Sequence, residues 1–312
     1  MKKISIILAA ALLATTAMES KACDICGCGA GSYYIGILPE FNAKILGLRY
    51  RNSNLTTHLN PSGERTYLTT DEQYYTTELW GGWTIKDRYR IMASAPVAVN
   101  IKENETARES KAGLSDVSVQ GFYRVLRSKT IAGTSEKTKL LVQDLWIGVG
   151  IKAPTGKYNP ADKSTVSATT NLFQLGTGSW DFMLTGMYDI RLQDLGFNAT
   201  ASYKINTTNQ YDYYYGNRFS GSAQLYHKFR FDNKFMIAPN VGFNVERSIK
   251  DMDGSIAVRA TGGRLMFATV GAELSFEKFS IGGNWQPVVD QYLGEGAVKA
   301  GNRAMLHLSF MF

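Results

Sequence analysis

The sequence predicts an all-β protein: an antiparallel transmembrane β-barrel of about twelve strands behind an N-terminal signal peptide. Three observations carry this expectation. Apolar and polar residues alternate with period two through segments long enough to cross a bilayer. The connections between those segments are by turns short and long. The apolar run at the N-terminus is too short to span a membrane, and no later window resembles a membrane helix.

At the N-terminus, Lys2 and Lys3 precede an apolar stretch from Ile4 to Leu13, and Ser20-Lys21-Ala22 places small residues at the two positions a signal peptidase reads. The expected organisation is a signal peptide over 1–22, a Cys- and Gly-rich tail over 23–32 and a barrel over 33–312. An exported chain without a second apolar helix is either released or held in the membrane by a closed barrel.

The alternation is repeated along the chain. Over 265–276 the even positions are Met266, Ala268, Val270, Ala272, Leu274 and Phe276, and Thr269, Gly271, Glu273 and Ser275 stand between them. Over 197–205 Phe197, Ala199, Ala201, Tyr203 and Ile205 alternate with Asn198, Thr200, Ser202 and Lys204. A soluble sandwich also alternates, but an apolar face sustained for roughly 9–11 residues is the length of a tilted strand crossing hydrocarbon.

Short turns fall near Lys86-Asp87-Arg88, Gln193-Asp194-Leu195, Asp232-Asn233-Lys234 and Glu277-Lys278. Long polar connections fall near 52–71, 102–112, 154–170, 206–217, 248–262 and 287–300, and a connection of intermediate length covers 127–138. The strands between them are expected near 34–51, 72–85, 89–101, 114–127, 138–153, 171–190, 196–206, 217–231, 234–247, 263–276, 279–287 and 302–312. An even count puts both termini on the periplasmic side and the six long loops outside, the usual asymmetry of outer-membrane barrels. The last strand alternates Leu306, Leu308, Phe310 and Phe312 with His307, Ser309 and Met311. Its closing aromatic residue resembles the assembly signal of such barrels, so the expected partners are outer-membrane lipid, the barrel-assembly machinery and a small-molecule solute.

Composition fits this picture. The chain has 34 basic and 27 acidic residues, a net +7. Without residues 1–22, which hold Lys2, Lys3, Lys21 and Glu19, the balance is 31 to 26. The excess is modest and spread out, so nucleic acid is not an expected partner. A hydrophobic content of 44% with mean hydropathy −0.18 would suit a soluble protein. A barrel reconciles both values with a membrane, because only every second residue meets lipid. Tyr75, Trp83, Tyr89, Tyr123, Tyr188, Tyr203, Phe229 and Trp285 are the expected interfacial aromatic girdles. By the same alternation Glu78, Arg124, Asp144, Asp189, Arg191, Lys204, Lys228, Arg230, Glu246 and Glu273 face inward and line the lumen. They either pair with one another in a sealed barrel or line a narrow conduit.

At Ile151-Lys152-Ala153-Pro154-Thr155-Gly156-Lys157-Tyr158, and again at Leu175-Gly176-Thr177-Gly178-Ser179-Trp180-Asp181, the chain resembles a known family. A strand ending in a Pro-Thr-Gly tripeptide, followed by a Gly-Thr-Gly-Ser-x-Asp segment, is similar to outer-membrane transporters named after the meta-pathway of phenol degradation. The resemblance implies a barrel that moves small, often hydrophobic molecules. Pro154, Thr155, Gly156, Gly176, Gly178, Ser179 and Asp181 carry it. Read physically, Pro154 and Gly156 suit a loop start, and Gly176 and Gly178 suit a bend where backbones approach closely.

Cys23, Cys26 and Cys28 depart from that family. Three cysteines cannot all pair within one chain. They could hold a soft metal, copper or zinc, although a closed zinc site wants four ligands. They could instead be a lipidated Cys23 followed by a Cys26–Cys28 pair, or an inert tail. Enzyme activity is not expected. A barrel lipase needs a serine activated by a histidine, and alternation places His227 outward while Ser220 and Ser222 face inward. Asp251-Met252-Asp253-Gly254 hints at a calcium loop, but the glycine comes early and no glutamate closes it. The expected function is an outer-membrane channel for small, hydrophobic or aromatic solutes that needs no cofactor. The alternative is a metal-handling envelope protein anchored by its barrel.

Overall fold

The computed structural model describes residues 44–60, 62–132, 139–162, 173–231 and 235–312. The segments expected to be signal peptide and tail, with Cys23, Cys26 and Cys28, lie outside the described residues, as do the turn at 232–234 and the connection at 133–138.

One antiparallel sheet closes on itself through twelve staves. β1 (Lys44–Thr57), β2 (Thr70–Ile85) and β3 (Tyr89–Glu103) are the first three. β4 (Arg108–Leu114) and β5 (Ser118–Ala132) share the fourth, β4 pairing with the far part of β3 and β5 with the near part. β6 (Lys139–Lys152), β7 (Asp181–Leu192) and β8 (Leu195–Ile205) follow. A short β9 (Tyr213–Tyr214) lies in the next loop. β10 (Arg218–His227) and β11 (Phe229–Phe231) share the eighth stave, and β12 (Phe235–Ser248) is the ninth. β13 (Met252–Asp253) and β14 (Ile256–Ala257) join β9 in a small separate sheet among the loops. β15 (Gly263–Phe276) is the tenth stave, β16 (Phe279–Gln286) and β17 (Val288–Leu293) the eleventh, and β18 (Lys299–Ala300) with β19 (Arg303–Met311) the twelfth. β19 then pairs with β1, Ile45 opposite Met311 through Asn52 opposite Ala304.

The wall sorts its side chains by parity. On β19 Arg303, Met305, His307 and Ser309 are buried, and Ala304, Leu306, Leu308 and Phe310 are exposed. Exposed leucine and phenylalanine beside buried charge is the inverse of a soluble protein, and it is what a lipid-facing wall around a polar interior requires. All eight expected girdle aromatics sit at outward positions. Tyr89 and Tyr123 pack against each other near the short-turn end, ring centroids 5.5 Å apart.

The short turns are tight because residues there accept left-handed backbone. Lys86 and Asp87 have φ of 48° and 56°, Gln193 57° and Glu277 49°. They lie at the end that carries Lys44 and Phe312, and the long connections lie at the other. The short-turn end is therefore periplasmic.

Three expectations are corrected. The strand near 171–190 begins at Asp181, and 173–180 is a folded loop whose backbone bonds to side chains. The expected loop at 102–112 is mostly a hairpin, because β4 continues the pairing of β3 as far as Glu103 opposite Arg108. β1 runs on to Thr57, with Leu55 and Thr57 still buried on the inner face. In each case pairing with a neighbour overrides local polarity.

Leu308 faces lipid between Leu48 of β1 and Ile281 of β16. Leu308→Arg is expected to destabilise the barrel by about 2–4 kcal/mol, as arginine does near the bilayer midplane. Urea unfolding in lipid vesicles measures this.

Candidate functional site in the barrel lumen

The lumen divides by height and by side. Toward the periplasmic end Ile45, Trp80, Met92, Phe122, Trp146 and Met187 form one buried apolar cluster. They come from β1, β2, β3, β5, β6 and β7, so one half of the circumference carries the cluster. Three guanidinium groups stack on it, Arg49 at 5.1 Å from the Trp80 ring and two over Trp146. Arg90 lies 4.1 Å and Arg124 4.3 Å from the Trp146 ring, where cation–π attraction offsets part of the cost of removing them from water. Across the lumen β8, β10, β12, β15 and β16 present hydroxyls and amides, among them Ser202, Ser220, Gln224, Asn244, Thr269 and Asn284, all buried. Oδ1 of Asn244 and both polar atoms of the Asn284 amide are uncommitted among the described residues.

Toward the outer end is a group of charges. Arg49 Nη1 pairs with Glu78 Oε2 at 2.8 Å and Arg303 Nη1 with Glu246 Oε1 at 2.7 Å. Arg51 is within electrostatic reach of both glutamates, and Arg218 of Glu246. Four arginines thus gather about two glutamates.

Most of the residues expected in the lumen lie on the inner face. Arg124 pairs with Asp144 at 3.2 Å. Asp189 Oδ1 accepts the Tyr226 hydroxyl at 3.0 Å, and Lys228 Nζ lies 5.4 Å from the Tyr226 ring. Arg191 and Lys204 are buried, Lys204 Nζ 3.7 Å from Asp181. Glu273 lies 3.0 Å from His307 Nε2 and accepts the Ser280 hydroxyl. Arg230 is the correction. It is 53% exposed on the periplasmic rim and pairs with Asp194 at 2.9 Å, because β10 breaks at Lys228 and β11 ends beyond the lumen. Sequence reasoning missed Arg49, Arg51, Arg90, Arg218 and Arg303. The parity rule would have found all five, since each sits at an inward position of an expected strand.

The family-motif residues meet around one lysine. Lys152, the last residue of β6, is 1% exposed and lies 2.5 Å from Asp116 and 2.9 Å from Asp181, both also buried. Its ammonium also bonds the Thr177 hydroxyl. Asp116 accepts the backbone N–H of Gly156 and of Thr177, both at 2.9 Å. Thr155 accepts the N–H of Val117 at 2.8 Å and donates to Ser115 O at 2.9 Å. Ser179 donates to Asp181 at 2.8 Å. Gly156 and Gly176 are in backbone contact, since a Cβ on Gly156 would stand 2.8 Å from the Gly176 Cα, and Gly178 adopts φ +69°. Pro154 opens the loop directly after β6. The motif thus ties the segment after β6, the start of β5 and the start of β7 into one buried charged network at the outer rim.

A family model described as "Putative MetA-pathway of phenol degradation" matches residues 63–291. The chain belongs to this phenol-degradation family. No curated protein matches the sequence. Among solved structures, the fold is similar to that of the COG4313 outer membrane channel from Pseudomonas putida F1. That likeness covers 89% of this chain and 100% of that one, at 16% identity and TM-score 0.59. Weaker likenesses join it to the β domain of the Bordetella autotransporter BrkA (9% identity, 86% and 100% covered, TM-score 0.49) and to the NanC porin (11%, 86% and 100%, 0.43). This member of the phenol-degradation family is an outer-membrane β-barrel.

Neither histidine described on the barrel is set against a serine as a lipase requires. His227 is exposed against Phe229, ring centroids 4.5 Å apart. At His307 the Glu273 carboxylate receives the Ser280 hydroxyl. Asp251 of the expected calcium hint is buried and accepts the Tyr213 hydroxyl at 2.6 Å and the Gly216 N–H at 2.8 Å, so it braces two loops. No cluster of three metal-ligating side chains occurs among the described residues.

Replacing Lys152 by Met leaves Asp116 buried without its cation and Asp181 with Lys204 alone, 3.7 Å away. Breaking such a pair costs about 3–5 kcal/mol, whereas Thr155→Val, which removes two hydrogen bonds, should cost about 1–3 kcal/mol. The order of the two urea midpoints checks the assignment.

Proposed function

We propose that this barrel is a passive outer-membrane channel for small organic anions with a flat apolar or aromatic body. The observation that carries this reading is the sequence of surfaces down the lumen. An entering solute meets first the group of four arginines, Arg49, Arg51, Arg218 and Arg303, set about Glu78 and Glu246. It then meets the wall of Trp80, Met92, Phe122 and Trp146, with Asn244 and Asn284 on the opposite side. Rings of charged side chains set the sign of a pore's selectivity. An apolar wall with a few placed polar groups is the usual make-up of a small-molecule site. The Arg49–Glu78 and Arg303–Glu246 pairs fix two of the arginine side chains, so this part of the lumen is preorganised.

Reversal potentials across a planar bilayer under a KCl gradient test the charge reading. The wild type should prefer chloride, and Arg51→Gln with Arg218→Gln should bring the permeability ratio toward one. A cation-selective wild type would refute it. Uptake into liposomes tests the apolar part. An aromatic carboxylate should enter faster than a sugar acid of similar size, and Trp146→Ala should shrink that difference.

A further inference from the structure

The outer wall holds a feature that the channel reading does not use. Small residues interrupt its leucine, valine, isoleucine and aromatic side chains at several outward positions, among them Gly186 and Ala201 on β7 and β8, and Gly81 on β2 with Ala93 and Ala95 on β3. The register sets Gly81 directly opposite Ala93 and Leu79 opposite Ala95, so the small residues adjoin. They leave an apolar trough of about 480 Å³, bordered by Leu46, Leu79, Trp83, Ile91 and Val117. A side chain at Gly81 would begin to fill it, since a Cβ there would stand 3.6 Å from the Leu46 side chain.

The trough ends at a cation. Lys44 Nζ lies 4.9 Å from the Trp83 ring and 5.9 Å from the Phe312 ring, at the periplasmic rim. It has no acidic partner among the described residues. Tryptophan at this level sits among lipid headgroups, and a lysine held there attracts anionic ones.

We propose that this trough is a binding site for one phospholipid of the periplasmic leaflet, an acyl chain lying over Gly81, Ala93 and Ala95 with its phosphate on Lys44. The shape supplies the first half. Where neighbouring wall residues are bulky, a chain can only lie across their tips, but here it drops between Leu46 and Ile91 and touches backbone. The charge supplies the second half. The two rings fix the lysine's direction, so the phosphate meets a placed cation. The lipid lies between the first and third staves, covering the part of the wall next to the closing seam.

Native mass spectrometry of the barrel, extracted from outer membranes in a mild non-ionic detergent, decides this. The wild type should carry one phospholipid per chain. Ala93→Leu with Ala95→Leu fills the trough and should remove it. Lys44→Gln should keep the trough but lower occupancy by an added anionic phospholipid about fivefold, the effect of losing one lysine near a membrane surface. Heat-modifiable migration of each variant on gels shows that it is folded. A wild type carrying no more phospholipid than the filled variant overturns the proposal. So does a chain dimer present in the wild type and lost in the filled variant, since a second copy would then occupy the trough.

Discussion

In hydrocarbon there is no water to satisfy a peptide N–H or C=O, so a sheet placed there must have no edge. The twelve staves meet this demand by pairing β19 with β1 over eight successive positions. Closure then decides the rest. Once the sheet is a cylinder, one face of every strand meets lipid and the other meets the enclosed space. A residue such as His307 or Arg303 is tolerated within the membrane because the neighbouring leucines take the outer side. Twelve staves also make the cylinder wider than one that aliphatic side chains can fill.

The interior is occupied by charge that is mostly paired. Arg49 with Glu78 and Arg303 with Glu246 stand together toward the outer end, and Arg124 with Asp144 stands toward the periplasmic end. Such pairs add little net stability, because each ion loses its hydration on burial. Their effect is to fix long side chains in place and so to give the lumen a defined shape. The aromatic rings under Arg90, Arg124 and Arg303 act in the same way, with Phe267 4.3 Å from Arg303. The Lys152 network extends this order into the loops. It couples three segments that are far apart in sequence through Asp116, which bonds at once to a lysine and to the backbone N–H groups of two loop residues.

How much of this can be read from residues alone depends on whether the cause is local. The strand at 263–276 has the expected bounds because its alternation is clean and Glu277-Lys278 ends it sharply. The loop at 173–180 was expected to be strand. Its conformation is set by Asp116, some sixty residues earlier, and nothing in its own composition announces that contact. Arg230 continues the parity of Tyr226 and Lys228, yet the strand breaks between them, and parity cannot report where a wall ends. The motif glycines were legible as close approaches, and Gly156 against Gly176 is one. Their use in ordering a rim through a buried lysine was not, because a sequence pattern does not show which carboxylate a cation finds. The two-sided lumen was hidden for a related reason. Trp80, Met92, Phe122 and Trp146 are scattered interruptions of largely polar faces in four strands, and they make a surface only after those strands stand side by side.

The seam has a further consequence, for the order of events in biogenesis. Its stitches join residue 45 to residue 311, so the two ends of the barrel segment are the last partners to meet. A chain still emerging from export has every internal hairpin available but no means of sealing, and its first strand stays raw until the final nine residues of β19 arrive. Partners this remote in the sequence form slowly. The polypeptide must therefore cross the periplasm whole and unclosed, and a version cut short by even one stave would present two open borders to the membrane where the complete one presents none.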